Sequence, residues 1–299
     1  KSWAIRDLYD AGRSLNAAQQ SAVFWLIFIA FAIKMPVFPF HTWQPDTYVT
    51  APTQGTMLLS GIMLKMGTFG LIKWLLPVVP LGLAKWGGTA ITLSVIGIIY
   101  ASVIAISQKD FKRLIAYSSI AHVGLIAAGI LSANQQGVQG ALMQMLSHGV
   151  NVVGLFLIAD ILLRHTGTRN TNELGGIRNM NGNFAVLFLI IMLGSVALPL
   201  TNGFVGEFLL INGVYQYGAW MAAFAGLTVI LGAVYMLRAY QNIMLGERKT
   251  GGLEFGKLAS SDKAVLVIIC VVVIAFGVYP KPLNDIAEEG TKVILNLMK

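Results

Sequence analysis

Long apolar stretches dominate this sequence of 299 residues and leave few folds open to it. A helix needs about 20 apolar residues, with a range of about 17–25, to cross the hydrocarbon core of a bilayer. Because lipid offers no hydrogen-bond partners, backbone in that core must be helical or part of a closed barrel. The candidate spans are 21–40, 55–77, 85–107, 111–131, 137–164, 184–217, 218–246 and 263–279. The sequence therefore predicts an all-α polytopic membrane protein with about eight spans.

The composition excludes several other classes of protein. Charged residues make up 11% of the chain, against about 25% in a typical soluble domain. The net charge of +8 comes largely from loops, and no basic helix or Cys/His finger is present that would bind nucleic acid. Cys270, the single cysteine, allows neither an internal disulfide nor a cysteine metal site. Without a Gly-rich phosphate loop, cysteine cluster or nucleophile elbow, we expect no cofactor, metal or redox centre in this chain.

Basic residues cluster in the loops that follow the odd-numbered spans. Those loops carry ten Lys and Arg, whereas the short loops on the opposite side carry Lys85 alone and the terminal segments add three each. The positive-inside rule then places the odd-numbered exits in the cytoplasm and both chain ends outside. The ten residues are Lys109, Lys112, Arg113, Arg164, Arg169, Arg178, Arg248, Lys249, Lys257 and Lys263; the terminal ones are Lys1, Arg6, Arg13, Lys281, Lys292 and Lys299.

Two of the predicted spans are interrupted. Pro36 and Pro39 lie just after Lys34 and remove backbone donors, which breaks or kinks a helix. The span 184–217 would be about 51 Å long as a straight helix, far more than a bilayer core. Its middle reads Leu198-Pro199-Leu200-Thr201-Asn202-Gly203. We therefore predict discontinuous helices near 34–39 and 198–204.

The sequence divides the chain into three predicted segments, and both interruptions lie in the second. We expect an outer-side N-terminal segment at 1–20 and a transmembrane domain at 21–279. The last segment, 280–299, mixes apolar residues such as Ile286 and Val293 with several charges. That mixture predicts a short amphipathic helix at the outer membrane surface.

Lys34, Lys65 and Glu207 are ionisable and lie inside apolar spans, where a charge costs about 2.5–3.5 kcal/mol on insertion scales. Lys65 is near the centre of its span, too far from either end for its ammonium to reach the interface. Lys34 adjoins the first interruption and has no acidic residue in its own span or the next. Glu207 follows the second interruption, where it would also suit a cap of the second half-helix. Because intramembrane ionisable groups usually line ion paths or proton relays, we predict that all three translocate protons.

Histidines add further candidates. His122 has two serines one turn earlier on its own helix face, and His148 shares a face with a glutamine and an asparagine. A lone membrane histidine is often only a hydrogen-bonded core residue, but two on polar stripes are typical of a hydrated proton path. His41, at the cytoplasmic exit of the first span, is either a proton intake point or a loop cap.

Several motifs resemble the antiporter-like subunits of respiratory complex I, which share their fold with Mrp-type cation/proton antiporter subunits. One motif runs from Ala32-Ile33-Lys34-Met35-Pro36 through His41-Thr42-Trp43-Gln44-Pro45-Asp46 and Ala51-Pro52-Thr53 to Leu64-Lys65-Met66-Gly67. Another spans 109–122 and ends in Tyr117-Ser118-Ser119-Ile120-Ala121-His122. A third is Leu198-Pro199-Leu200-Thr201-Asn202-Gly203-Phe204-Val205-Gly206-Glu207-Phe208. The matches cover nearly the whole chain and are specific in combination.

The resemblance implies an antiporter-like fold of two inverted five-helix repeats with flanking helices. It implies that Lys65 is the central lysine, that His122 and His148 connect a hydrophilic axis, and that Glu207 is its terminal charge. Other antiporter-like subunits commonly carry a lysine at that last position, so its glutamate discriminates among them. Lys34 would pair with a glutamate two helices earlier. Because the chain begins with a lysine rather than Met, we expect a piece of a longer protein with that glutamate upstream.

The resemblance also implies a function. We expect a proton-translocating membrane subunit of an NADH–quinone oxidoreductase, with FMN, iron–sulfur clusters and quinone in partner subunits. Its partners would be other membrane subunits, especially neighbouring antiporter-like ones, and the lipid of the inner (plasma) membrane, or of the mitochondrial inner membrane if the protein is organellar. A first alternative is a subunit of an Mrp-type antiporter or a membrane-bound hydrogenase. A second is a structural membrane subunit with vestigial charges.

Overall fold

The computed structural model describes residues 4–247 and 255–298, and within them the chain forms helices joined by turns. This agrees with the predicted all-α fold class. The helices are α1 (Ile5–Ser14), α2 (Ala17–Lys34), α3 (Trp43–Thr50), α4 (Thr53–Val78), α5 (Pro80–Ser107), α6 (Phe111–Leu131), α7 (Gln135–Thr166), α8 (Ile177–Met180), α9 (Gly182–Ser195), α10 (Asn202–Tyr217), α11 (Ala219–Met244), α12 (Ser260–Val278) and α13 (Lys281–Leu297). Of the residues used for the orientation prediction, Lys1, Arg248, Lys249 and Lys299 lie outside the described ranges.

Among the described residues, seven helices are long and apolar enough to cross a membrane: α2, α4, α5, α6, α7, α11 and α12. Each of them overlaps one predicted span. The sixth predicted span, 184–217, is divided instead into the two shorter helices α9 and α10. Residues 196–201 separate them, in the stretch whose excess length and proline predict a break.

The first interruption lies between α2 and α3. α2 ends at Lys34, and residues 35–42 form turns before α3 begins at Trp43. The indole Nε1 of Trp43 donates a hydrogen bond to the carbonyl of Ile33 at 2.9 Å, which satisfies one of the acceptors left open where a helix stops. Met35 is fully buried. The non-helical backbone is therefore packed against protein, as backbone at membrane depth has to be.

The second interruption is held by close packing against α12. Ala197 and Leu200 adopt φ values of 55° and 72°, a left-handed conformation that is unfavourable for residues with side chains. A Cβ added to Gly277 of α12 would lie 2.2 Å from the carbonyl oxygen of Leu200. The absence of a side chain at Gly277 thus lets α12 approach the break closely enough to support its strained backbone.

Helix starts follow capping chemistry more closely than hydropathy. α2 starts at Ala17, earlier than the span predicted from apolar residues, because Asn16 forms a reciprocal capping box with Gln19. α5 starts at Pro80, since proline suits the first position of a helix. Lys85, which the hydropathy pattern places at the start of the span, therefore lies inside the helix.

α6 is the central helix of the protein, and its side chains are nearly all buried. It packs against α3, α4, α5, α7, α10 and α11. Its start is capped by Asp110, whose side chain accepts a hydrogen bond from the backbone N–H of Arg113 at 3.0 Å. Ser118, Ser119 and His122 are polar residues on this surrounded helix, so their partners have to come from the helices around it.

α7 and α10 cross with their backbones almost in contact. A Cβ added to Gly213 of α10 would lie 2.4 Å from both the N and Cα atoms of Gly137 of α7. Near this crossing, the Nδ2 of Asn134 donates a hydrogen bond to the carbonyl of Gly213 at 2.7 Å. Small residues allow such close helix approach in membranes. The crossing brings the acidic residue of α10 against the polar face of α7.

The C-terminal helix α13 lies beside the start of α7. The Nε2 of Gln139 donates a hydrogen bond to Oδ1 of Asn284 at 2.9 Å, and Thr291 is fully buried. Ile286 and Val293 are exposed on the opposite face. An exposed apolar face beside charged residues suits a helix that lies on a membrane surface, and its position on the outer side stays a prediction.

Gly213→Ala is expected to destabilise the protein, because the added methyl group would have to displace the backbone of Gly137. Overpacking of this kind typically costs about 1–3 kcal/mol. Gly226→Ala is the matched control, since Gly226 also lies within a helix and a Cβ there would meet nothing within 4 Å. Thermal unfolding of the detergent-solubilised protein should show a lower midpoint for Gly213→Ala alone. Equal midpoints for the two variants would contradict the close crossing of α7 and α10.

Candidate functional site

Lys65 lies in an irregular part of α4. The helix forms π-helical turns at Leu59–Met63 and Leu71–Leu75, one on each side of this lysine. Such wide turns are rare and frequently occur at functional sites. The side chain is buried, and its Nζ donates a hydrogen bond to the carbonyl of Ser60 at 2.6 Å. The preceding turn therefore supplies one of the partners that an ammonium group needs inside a membrane protein.

The second partner of Lys65 comes from α7. Its Nζ lies 2.7 Å from Nδ1 of His148, and Nε2 of the same ring lies 3.0 Å from the hydroxyl of Ser119 on α6. A charged lysine can only donate, so Nδ1 then accepts and Nε2 carries the ring hydrogen. A neutral lysine allows the opposite tautomer. The imidazole can thus take a proton at one nitrogen and release one at the other.

Glu207 is buried at the other end of the cluster, with 2% of its surface exposed. Its Oε1 lies 3.1 Å from Nδ1 of His122 and accepts a hydrogen bond from Nε2 of Gln144, also at 3.1 Å. The His122 nitrogen is at ion-pair distance but is not aligned for a hydrogen bond. Within the described residues Oε2 has no hydrogen-bond partner. One carboxylate oxygen is therefore held by two groups, while the other is free to accept a proton.

Glu207 is not a helix cap, which excludes the simpler explanation that the sequence leaves open. α10 begins at Asn202, and its first turn contains no acidic residue, so Glu207 lies beyond the turn in which a carboxylate best compensates the helix dipole. The hydroxyl of Ser147 on α7 donates a hydrogen bond to the carbonyl of Asn202 at 2.8 Å. This bond fixes the start of α10 against α7 and so orients Glu207 toward the interior.

A small cavity lies between the lysine and glutamate ends of the cluster. The rings of His122 and His148 have centroids 5.6 Å apart, and both rings line it. The cavity leaves about 10 Å³ for the centre of a water molecule, which is about the space that one water needs. Its other polar lining residues are Ser118, Ser119, Gln144, Asn151 and Ser195. A single water at this point would lie within reach of both imidazoles.

The cluster places a basic and an acidic group in a medium of low dielectric constant. Lys65 and Glu207 carry opposite formal charges, and the two histidines lie between them. Charges interact more strongly in a protein interior than in water. A proton placed on either histidine would therefore change the energy of both ends.

Lys34 does not join this cluster. It is half-buried at the end of α2, and within residues 4–247 and 255–298 it forms no hydrogen bond or ion pair. The next residue, Met35, packs on α4, where a Cβ added to Gly67 would lie 2.7 Å from the Met35 Cβ. The backbone that carries Lys34 thus touches α4 one half-turn beyond Lys65. Its pairing with an upstream glutamate stays a prediction.

His41 lies in the first interruption, apart from the cluster. Its side chain is buried, and its ring packs on Phe38 and Tyr100 with centroid distances of 5.6 and 5.2 Å. Its Nδ1 has no hydrogen-bond partner among the described residues. A role in proton intake stays a prediction, because none of these contacts connects the ring to the cluster.

Two groups at the site gave no signal in the sequence. Ser60 contributes its backbone carbonyl, which every residue possesses. Tyr235, in the apolar helix α11, resembles the other packing aromatics in sequence, yet its hydroxyl donates a hydrogen bond to Oγ of Ser118 at 3.0 Å. Across the described ranges, no group of three His, Cys, Asp or Glu side chains converges on a position that could hold a metal ion.

Residues 3–232 match the family described as NADH:quinone oxidoreductase/Mrp antiporter, transmembrane. Over 277 residues the chain is 44% identical to subunit M of the NADH-quinone oxidoreductase of Rickettsia typhi. The alignment covers 92% of this chain and 56% of that relative. The chain therefore spans little more than half the length of this relative.

Solved structures show the same likeness. A chain of respiratory complex I from Thermus thermophilus with bound NADH is 31% identical and superposes with a TM-score of 0.89, covering 95% of this chain and 60% of that one. A chain of the Mrp complex from Dietzia sp. is 19% identical, with a TM-score of 0.85, covering 98% and 66%. At this lower identity the second likeness shows the fold alone.

Ser119→Ala is expected to destabilise the folded protein, because it leaves Nε2 of His148 without its hydroxyl partner. A lost hydrogen bond of this kind costs about 1 kcal/mol. Ser102→Ala is the control: this serine is also fully buried, but its hydroxyl has no partner in the described structure. The midpoint of thermal unfolding in detergent should fall for Ser119→Ala and stay constant or rise for Ser102→Ala. The same fall in both variants would argue against the bond to His148.

Proposed function

This chain belongs to the NADH:quinone oxidoreductase/Mrp antiporter transmembrane family, and from that premise we propose that it forms part of a proton-translocating subunit of an NADH–quinone oxidoreductase, of the subunit M type. Family membership confirms the resemblance found in the sequence motifs. The family and the apolar helices also make it a multi-pass membrane protein. Because the chain spans 56% of the relative from Rickettsia typhi, the activity of the whole subunit belongs to the proposal.

The observation that carries the proposal is the buried line from Lys65 through His148, the central cavity and His122 to Glu207. Each end is a direct contact, of 2.7 Å at the lysine and 3.1 Å at the glutamate. Every member of the line can bind and release a proton. Apolar side chains would pack this interior at lower cost than ionisable ones, which favours a functional role for the line.

In the proposed mechanism a proton leaves the Lys65 ammonium for Nδ1 of His148, and the ring releases its Nε2 hydrogen toward Ser119 and the cavity. From the cavity a proton reaches His122, which passes one from Nδ1 to the adjacent carboxylate of Glu207. Release from Glu207 toward the predicted outer side completes the transfer. Each step joins groups within about one hydrogen bond or one water, which is the reach that proton transfer requires.

The driving force would come from outside this line. A change in the pairing of Lys34 would alter the field at Lys65 on the neighbouring helix. Redox chemistry would occur in partner subunits that hold FMN, iron–sulfur clusters and quinone. The partners of this chain would be other membrane subunits, especially neighbouring antiporter-like ones, and the lipid of the bacterial inner membrane, or of the mitochondrial inner membrane in an organelle.

The residue at position 207 supports the subunit M type, since the resemblance gives lysine there in other antiporter-like subunits. The 44% identity to a subunit M supports the same choice. For a subunit of an Mrp-type antiporter, the support is likeness of fold at 19% identity. Purification of the native complex distinguishes the two: flavin and iron–sulfur subunits should accompany this chain, and their absence from the purified complex would favour the antiporter.

Lys65→Gln and Glu207→Gln are each expected to lower proton translocation by about tenfold or more, because each removes a group that has to take up and release the proton. NADH-driven acidification of vesicles that contain the assembled complex measures the effect, with quinone reduction followed in parallel. Lys73→Gln is the matched control. Lys73 is half-buried on the same helix as Lys65, and its side chain makes no hydrogen bond or ion pair within the described ranges.

Normal translocation in both Lys65→Gln and Glu207→Gln would overturn the proposed function and favour a structural subunit with vestigial charges. An equal loss in Lys73→Gln would show that the assay responds to any lost charge in α4 rather than to this line. Native gel electrophoresis of each variant complex verifies that assembly is unchanged.

A further inference from the structure

Tyr235 of α11 lies between two cavities. Its hydroxyl donates a hydrogen bond to Oγ of Ser118 at 3.0 Å, and Ser118 lines the central cavity beside His122 and His148. On its other side, Tyr235 lines a second cavity that lies next to Lys109. Tyr235 has 1% of its surface exposed and contacts a lining residue of one cavity while it lines the other.

The second cavity lies at the end of α5 and the start of α6, on the side that the positive-inside rule places in the cytoplasm. It leaves about 110 Å³ for the centres of water molecules, which is room for several waters. Its polar lining residues are Ser107, Gln108, Lys109, Thr171, Asn172, Tyr235, Arg238 and Asn242. A cavity of this size and polarity is suited to hold water that reaches from the surface to the Tyr235 ring.

We propose that protons enter the central cavity from the Lys109 side through the hydroxyl groups of Tyr235 and Ser118. This inference rests on the proposed function and adds to it a route of intake. The route differs from the intake predicted at His41, whose ring is packed against Phe38 and Tyr100.

Each hydroxyl on this route can accept one hydrogen bond and donate another. A proton from water in the Lys109 cavity binds the Tyr235 oxygen while the tyrosine passes its own hydrogen to Oγ of Ser118. Ser118 in turn releases its hydrogen to the central cavity, where His122 is one helical turn away on the same face. Only O–H bonds form and break, no electron is transferred, and rotation of both hydroxyls restores the starting state.

The hydroxyl pair of Tyr235 and Ser118, rather than the charges at the mouth, would select protons over metal cations. Lys109 and Arg238 both line the second cavity, and the described structure shows no ion pair for either of them. Fixed positive charges raise the energy of any cation in such a space, a proton included, so these charges alone do not select protons. The hydroxyl groups of Tyr235 and Ser118 leave no open channel for a metal ion. A proton can be passed along the hydrogen bond between them. The route is therefore specific for protons by its geometry.

Tyr240, about one and a half turns further along α11, provides a comparison with a structural role. It is also buried, and its hydroxyl donates a hydrogen bond to the backbone carbonyl of Ala185 at 3.1 Å. Buried tyrosines generally find such a partner for their hydroxyl. The acceptor for Tyr240 is a backbone carbonyl, which has no hydrogen to pass on. The acceptor for Tyr235 is the Ser118 hydroxyl, which can donate its own hydrogen to a further group. The two tyrosines therefore form a matched pair for an experiment.

The test compares Tyr235→Phe with Tyr240→Phe in the assembled complex in vesicles. Each variant keeps its ring and loses one hydroxyl. We expect Tyr235→Phe to lower NADH-driven proton translocation by about tenfold, and Tyr240→Phe to leave it at the wild-type rate. Ser118→Ala should reproduce the loss, and the double variant Tyr235→Phe/Ser118→Ala should be no worse than either single variant, because all three interrupt the same route.

Wild-type translocation in Tyr235→Phe and in Ser118→Ala would overturn the route. So would equal losses in Tyr235→Phe and Tyr240→Phe, since packing would then account for both. The failure of the route and the failure of the function are distinguishable: if Lys65→Gln abolishes translocation while Tyr235→Phe does not, the function stands and the route falls. If Lys65→Gln, Glu207→Gln and Tyr235→Phe all leave translocation unchanged, the function and the route are both overturned.

Discussion

The contact between the Lys65 ammonium and the His148 imidazole is the interaction on which the rest of this structure depends. A lysine in the middle of a membrane helix costs several kcal/mol unless it is paired or hydrated. Here the cost is offset by a π-helical turn that presents the Ser60 carbonyl and by a ring from α7 at 2.7 Å. Both partners require α4 and α7 to lie side by side, with α6 completing the pocket. The arrangement of these three helices is therefore tied to the burial of one charge.

The second half of the line depends on a different physical device, the close approach of two helices. Gly137 and Gly213 let α7 and α10 cross almost at backbone contact, and Ser147 secures the start of α10. Only because α10 begins inside the protein, after a break, can Glu207 lie in the interior beside His122. The strained backbone of the break thus allows α10 to start within the protein, which places the Glu207 carboxylate among the helices.

In the proposed function and intake route, the buried line and the Tyr235 hydroxyl would form a path that branches at the central cavity. Lys65 would lie on one branch and Glu207 on another, and the second cavity, beside Lys109, would be joined to them through Tyr235 and Ser118. The central cavity has space for about one water molecule, and that water would connect the branches. A site of this kind can be controlled by charge, because moving a proton on one branch changes the energy of the others.

The sequence by itself determined the fold class, the positions of the spans and the positions of the breaks, because lipid forces helical backbone and proline removes its donors. It also singled out Lys65 and Glu207, since charges inside apolar spans are rare. Only the tertiary structure decided which groups meet. Lys65 and His148 are 83 positions apart, and nothing local to either one specifies the other. The sequence contains no signal for the Tyr235 hydroxyl, because its partner is Ser118 on another helix, which packing brings within 3.0 Å.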